Sequence, residues 1–201
     1  MIKLFGHSMV SIDDIIVIDP HDGGSIGLSK PSLTKANIVL ITHDHFDHNA
    51  YQIIESEDVK IGYLGEFRIS KYKVRSFRAN HDQQGGKARG KTSIYEVNKE
   101  GVSFVHMGNI GEIPSKILKE ISPDVLALPI GGTITIDWSQ AIEVIKELSP
   151  SIVIPLHYWI KGHLMPLDPP NEFLKNINYM QFITREVDET RMEKGIYLFQ
   201  I

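Results

Sequence analysis

The chain contains no cysteine. That absence removes disulfides, thiolate metal ligands and cysteine nucleophiles, and leaves imidazole and carboxylate as the side chains able to bind a metal. Long apolar runs are missing too. No segment approaches the roughly 18 residues that a membrane-spanning helix needs, and the opening "MIKLFGHSMV" lacks the apolar core of a secretory signal. The expected compartment is the cytoplasm, with no membrane as partner. Nor is there an excess of one charge. Lys and Arg number 21 against 25 Asp and Glu, a net −4, which gives no electrostatic footprint for nucleic acid. Basic residues gather only in "KYKVRSFR" (71–78), where their alternation with apolar positions reads as a half-buried strand with a solvated outer face. With no low-complexity tract or long linker, 201 residues at 42% hydrophobic content are expected to form one domain, 1–201.

What is present is organised as strands first and helices later. "IKLF", "MVSI", "IIVIDP", "NIVLIT", "VKIGYL", "YKVRSF", "TSIYEV" and "GVSFVH" are short apolar runs separated by turn residues such as "DGG" and "NKEG". "PSKILKEI" carries proline at the first helical position. "DWSQAIEVIKEL" opens on an Asp cap and places Ala141, Ile145 and Leu148 along one face. Each is followed by a proline turn and an apolar strand, "SPDVLALP" and "SPSIVIPLH". This order predicts two sheets with helices packed outside.

The chemistry concentrates in "ITHDHFDHNA", where His43, Asp44, His45, Asp47 and His48 fall within six consecutive positions. Carboxylates this close repel each other unless a cation lies between them, so a bound metal is the first expectation. His43, His81, His106 and His157 each stand where an apolar run ends, and strand ends converge at one rim of a sheet. If the segment is extended, His43 and His45 face the same side and can share one ion. Asp47 and His48 could turn toward a second, with His106 and His157 completing the two sets. Asp44 then points away and reads as a residue behind the ligands.

"HDHFDH" resembles the H-x-H-x-D-H signature of the metallo-β-lactamase superfamily. "GHSMVSI", "VIDP", "HMGN", "LPIGGTITID" and "VIPLHY" agree with it in order, most like the small hydrolases that include ascorbate-6-phosphate lactonase and N-acyl-phosphatidylethanolamine phospholipase relatives. The resemblance covers nearly the full chain. It implies an α/β fold, the four-layer αββα sandwich, with His43, His45 and His106 on a first metal and Asp47, His48 and His157 on a second. It further implies that Asp19 orients a ligand histidine and that His81 faces the site, where it could donate a proton or hold the substrate. His7 is open to a site role or a structural one; His21 and His163 read as structural.

One position departs from the pattern. The family carries aspartate three residues after the third histidine, as a bridge between the metals, and here Asn109 stands there. A neutral amide bridges poorly, so one tight and one weaker metal site are expected. Zinc is the first expectation, with manganese or iron as alternatives. The activity implied is that of a metal-dependent hydrolase, in which a metal-bound hydroxide oriented by Asp47 attacks an ester, lactone, amide or phosphodiester of a small molecule. The alternative is a metal-binding domain or sensor without turnover, because of Asn109. The glycines of "QQGGKARGK" (83–91) fit a lid or a plain hairpin equally.

Overall fold

The computed structural model of the protein describes residues 1–190 and 193–199. The first sheet has six strands in the order β13-β1-β2-β3-β4-β5. These are β1 (Ile2–Leu4), β2 (Val10–Ile12), β3 (Ile16–Ile18), β4 (Ile38–Ile41), β5 (Asp58–Ile61) and the two-residue β13 (Glu186–Val187). The second has eight, β12-β14-β11-β10-β9-β8-β7-β6. They are β6 (Gly65–Ile69), β7 (Tyr72–Asn80), β8 (Lys91–Lys99), β9 (Val102–His106), β10 (Val125–Pro129), β11 (Ile152–Leu156), β12 (Met180–Thr184) and β14 (Gly195–Phe199). Both sheets are mixed. Pairing is parallel across β3-β4-β5 and from β9 through β10, β11 and β14 to β12, and antiparallel elsewhere.

The parallel strands explain the continuous apolar runs. β4, β10 and β11 are buried along their whole lengths, as strands covered on both faces must be. Between the sheets lies a core to which the first contributes Ile16, Ile18, Ile38 and Leu40, and the second Tyr72, Val74, Tyr95, Val125 and Ile154. Outside the second sheet pack α1 (Ser115–Leu118), α2 (Trp138–Leu148) and α3 (Asn171–Asn176), whose Leu118, Ala141, Ile145 and Phe173 meet Leu126, Leu128 and Val153. α2 is fixed at its start by a capping box: the Asp137 carboxylate accepts the Ser139 and Gln140 N–H groups, and the Gln140 side chain accepts the Asp137 N–H.

The α/β sandwich is closed on the outer face of the first sheet by short turns. Val17, Val39 and Ile41 are covered there by Met9, Ala36 and Ile54, with Tyr51 and Ile53 of a short 3-10 turn packed against them. The strands align so that the ends of β3, β4, β7, β9 and β11 lead into the segments that carry the site. No helix among the described residues is long and apolar enough to cross a membrane.

Candidate metal centre

β4 ends at Ile41, and the histidine-rich segment folds through tight turns: the His45 N–H donates to the His43 carbonyl (3.0 Å) and the His48 N–H to the His45 carbonyl (2.9 Å). His43 and His45 therefore converge by turning, not by the strand alternation expected from their spacing. Their ring centroids lie 4.5 Å apart. His81, immediately after β7, places its ring 4.6 Å from that of His43 and 5.1 Å from that of His45. One donor atom from each of His43, His45 and His81 lies within 4.8 Å of the other two. A second group, bounded by the same distance, joins His7, Asp47, His48 and His157. Asp47 Oδ2 is 2.9 Å from His7 Nε2 and 3.1 Å from His48 Nε2.

His106 belongs to neither group, contrary to the expectation from its place at a strand end. Its Nε2 bonds the Ser8 carbonyl (2.9 Å) and its Nδ1 accepts the Gly108 N–H (3.1 Å), so both ring nitrogens are committed to backbone. The chain turns at Gly108, where φ is 57° and an added Cβ would lie 2.6 Å from the Ser93 carbonyl oxygen. That turn delivers Asn109 instead: its amide nitrogen lies 2.8 Å from His48 Nε2 and 3.1 Å from His157 Nε2. Asp44 is exposed and accepts the Asn49 side-chain N–H (2.7 Å), outside both groups.

Asp19 anchors the centre. Its carboxylate accepts from His48 Nδ1 (3.0 Å) and from the Thr42 N–H and hydroxyl (2.7 Å each). The Thr42 oxygen is in turn 2.9 Å from His43 Nδ1. With Nδ1 protonated and held, each histidine presents Nε2 to the interior, the arrangement that carboxylates impose on metal-binding histidines. The sequence does not distinguish Thr42, whose only signal is its position just before His43. His7, Asp19 and His157 have φ near +50°, a left-handed conformation that costs L-residues roughly 1–2 kcal/mol and marks sites where geometry is held by the surroundings.

Except for His48, the centre holds the histidines of its donor groups neutral, and it keeps Asp47 ionised. Burial holds His43 and His7 far below the usual histidine range, reinforced by neighbouring imidazoles. Burial likewise brings His81 to about 4, with His45 and His48 adding to the effect. Burial favours protonated Asp47, yet His48, His157 and His7 outweigh it and keep the carboxyl well below the usual range. Burial also opposes a charged His48, but Asp47 and Asp19 overcome it and push its pKa up to about 9. His163, expected to be structural, is buried beside His7 at 5.0 Å between centroids, with neither ring nitrogen hydrogen-bonded. His21 gives Nε2 to the Phe5 carbonyl.

The residues fit a metal. His43 Nε2, both nitrogens of His81 and Asn109 Oδ1 are buried without a hydrogen-bond partner, an arrangement that buried polar atoms avoid unless a ligand completes them. Neutral imidazoles and one ionised carboxylate are the donor chemistry of zinc, iron and manganese sites.

Residues 1–157 match the beta-lactamase superfamily domain, and the chain belongs to that family. Two similar proteins are both named UPF0173 metal-dependent hydrolase. One, from Staphylothermus marinus, is 28% identical over 79% of this chain and 83% of its own; the other, from Natranaerobius thermophilus, is 27% identical over 88% and 90%. Among solved structures, one assigned as a Zn-dependent hydrolase of the metallo-beta-lactamase superfamily from Thermotoga maritima is 26% identical. It covers 98% of this chain and 97% of its own at a TM-score of 0.76. Igni18, a metallo hydrolase from Ignicoccus hospitalis, is also 26% identical, with 87% and 88% covered and a TM-score of 0.67. The protein is a metal-dependent hydrolase of the metallo-β-lactamase superfamily.

Proposed function

We propose that the protein hydrolyses an ester, lactone, amide or phosphodiester bond of a small molecule in the cytoplasm, with zinc as first choice of metal and manganese or iron as alternatives. The observation that carries this reading is the pair of convergent donor groups, the first of which buries His43 Nε2 and both His81 nitrogens without partners. In it His43, His45 and His81 hold one ion, so that His81 takes the place expected of His106. Asp47, His48 and His157 hold the other, beside His7 and Asn109. When bound, the ion supplies Lewis acidity that brings the pKa of a water to about 7. Asp47, kept ionised, orients the attacking water, and His7 braces its Oδ2. Asp19 and Thr42 keep the donor nitrogens aimed while substrate enters. The test is elemental analysis of purified protein, followed by turnover of a panel of lactones, phosphodiesters, amides and thioesters. Absence of bound metal, or no turnover by metal-loaded protein, rejects it.

A further inference from the structure

The segment after His81 is built, not slack. Asp82 accepts four backbone N–H groups, from Gln84 (2.7 Å) and Gly86 (2.9 Å) on Oδ1 and from Ala88 (3.0 Å) and Arg89 (2.7 Å) on Oδ2. Both carboxylate oxygens are thereby occupied, so Asp82 is not a substitute for a missing metal-bridging carboxylate. The loop is closed by the His81 N–H on the Gly90 carbonyl (3.1 Å), the Gly90 N–H on the Gly86 carbonyl (3.0 Å) and Lys91 Nζ on the Gly85 carbonyl (2.8 Å). Its root is wedged against the segment that carries Asn109: a Cβ added to Gly111 would lie 2.4 Å from the Asp82 backbone. A lid that opens by bending would not be tied at this many points.

This fixed loop presents cations at the rim of the metal centre. Residues 83–90 contain Lys87 and Arg89 and no acidic residue, in a chain of net charge −4. Arg89 is exposed, its backbone N–H is the group held by Asp82, and none of the ion pairs or hydrogen bonds among the described residues uses its guanidinium. The His81 N–H bond to the Gly90 carbonyl (3.1 Å) sets Arg89 one residue from backbone that is held against a histidine of the first donor group. An exposed arginine on a tied loop beside the histidines of the metal centre, with no side-chain carboxylate bound to it, can take an anion from solution. The guanidinium fork matches carboxylate or phosphate oxygens two at a time.

We propose that Arg89 binds an anionic group of the substrate, a carboxylate or a phosphate, and that Asp82 is the positioning residue that sets Arg89 there. The assignment rests on the hydrolase reading for the word substrate, but the anion contact stands separately. The substrates are then small molecules carrying a negative charge next to the bond that is cleaved.

The test uses the full chain, metal-free and zinc-loaded, titrated calorimetrically with inorganic phosphate and, in a parallel arm, with succinate. Wild type should bind one of the two, which identifies the anion. Arg89→Gln should weaken that binding about tenfold in both metal states, allowing for the exposure of the site, with metal content unchanged. Arg89→Lys should recover part of the loss. Asp82→Ala should weaken binding similarly although Arg89 is present, with an unaltered circular dichroism spectrum and the same metal content. Equal affinity in wild type and Arg89→Gln, or binding of neither anion by wild type, overturns the proposal. Wild-type affinity in Asp82→Ala overturns the role of Asp82. Turnover of neutral esters with no Arg89 effect on anion binding defeats only this inference; Arg89-dependent binding without turnover of any ester defeats only the hydrolase reading.

Discussion

The side-chain amide nitrogen of Asn109 lies 2.8 Å from Nε2 of His48, in the interval between His48 and His157. A carboxylate at this place would add a negative charge against the donor group of His7, Asp47, His48 and His157, whose only carboxylate is Asp47. Asn109→Asp is therefore expected to tighten the more weakly held ion by about 10- to 100-fold. Without metal, the new carboxylate would face Asp47 across the same interval and lower the melting temperature. Metal titration of wild type and variant side by side checks the first expectation. Identical affinities for the second ion would remove Asn109 from the metal interval.

His81 and His106 separate cleanly. His81→Ala should abolish most uptake of the first ion, because it removes one of three convergent nitrogens. His106→Ala should leave metal content near that of wild type and reduce stability instead, since it deletes two buried hydrogen bonds to backbone at about 1 kcal/mol each. Elemental analysis paired with thermal denaturation reads both. Loss of metal from the His106 variant with retention in the His81 variant would reverse the assignment.

Asp19→Asn keeps the shape of the side chain but offers an amide N–H where His48 Nδ1 or the Thr42 hydroxyl now donates. One of those contacts must fail, and with it the orientation of His48 or His43. Both metal sites should weaken, by about tenfold or more, although Asp19 belongs to the ligand set of neither. A variant that weakens one ion alone would show that the Thr42 link to His43 carries no orientation.

Stability of the metal-free protein should fall as pH drops from 6.5 to 5. His81 and His163 sit near 4 in the fold, lowered mainly by burial, whereas unfolded histidine takes up protons at about 6.5. The unfolded state then binds more protons within this window and gains on the folded one. His48, raised to about 9, is charged in the folded state throughout the window. Its contribution is already complete below 6.5 and is lost only as pH rises through 9. Melting temperatures of chelator-treated protein at pH 6.5, 5.75 and 5 measure this, and a flat profile would contradict neutral buried histidines.

Metal should raise the melting temperature, because ions that bind only the folded chain stabilise it by mass action. The donors come from as far apart as His7 and His157, so unfolding scatters them. An unchanged transition after verified metal removal would argue against this site.

Much of the architecture is written in local pattern, and the losses have physical causes. β3, β4, β10 and β11 show as apolar runs because both faces of each are covered. β6 and β12 are edge strands with mostly exposed side chains, so no apolar alternation announces them. β13 exists only through pairing with β1 some 180 residues away. The histidine cluster is visible as composition, and Asp19 as the end of an apolar run. That His81 joins a donor group and His106 does not is not visible, since both stand at strand ends. What separates them is the Ser8 carbonyl, brought against His106 from a turn 98 residues earlier, and no spacing rule records that contact.

The left-handed backbone at His7 and His157 gives this molecule opposing selection pressures. Glycine at either position would relax the backbone by roughly 1 kcal/mol, while burial of the imidazole in its neutral form is repaid in full only when something binds. A library sorted for thermal tolerance in chelator would drift toward glycine at these positions and discard the donors. The same library sorted with metal present would hold them. Engineering for robustness and engineering for activity would therefore part at residues 7 and 157, and the additive chosen for the screen decides which one is obtained.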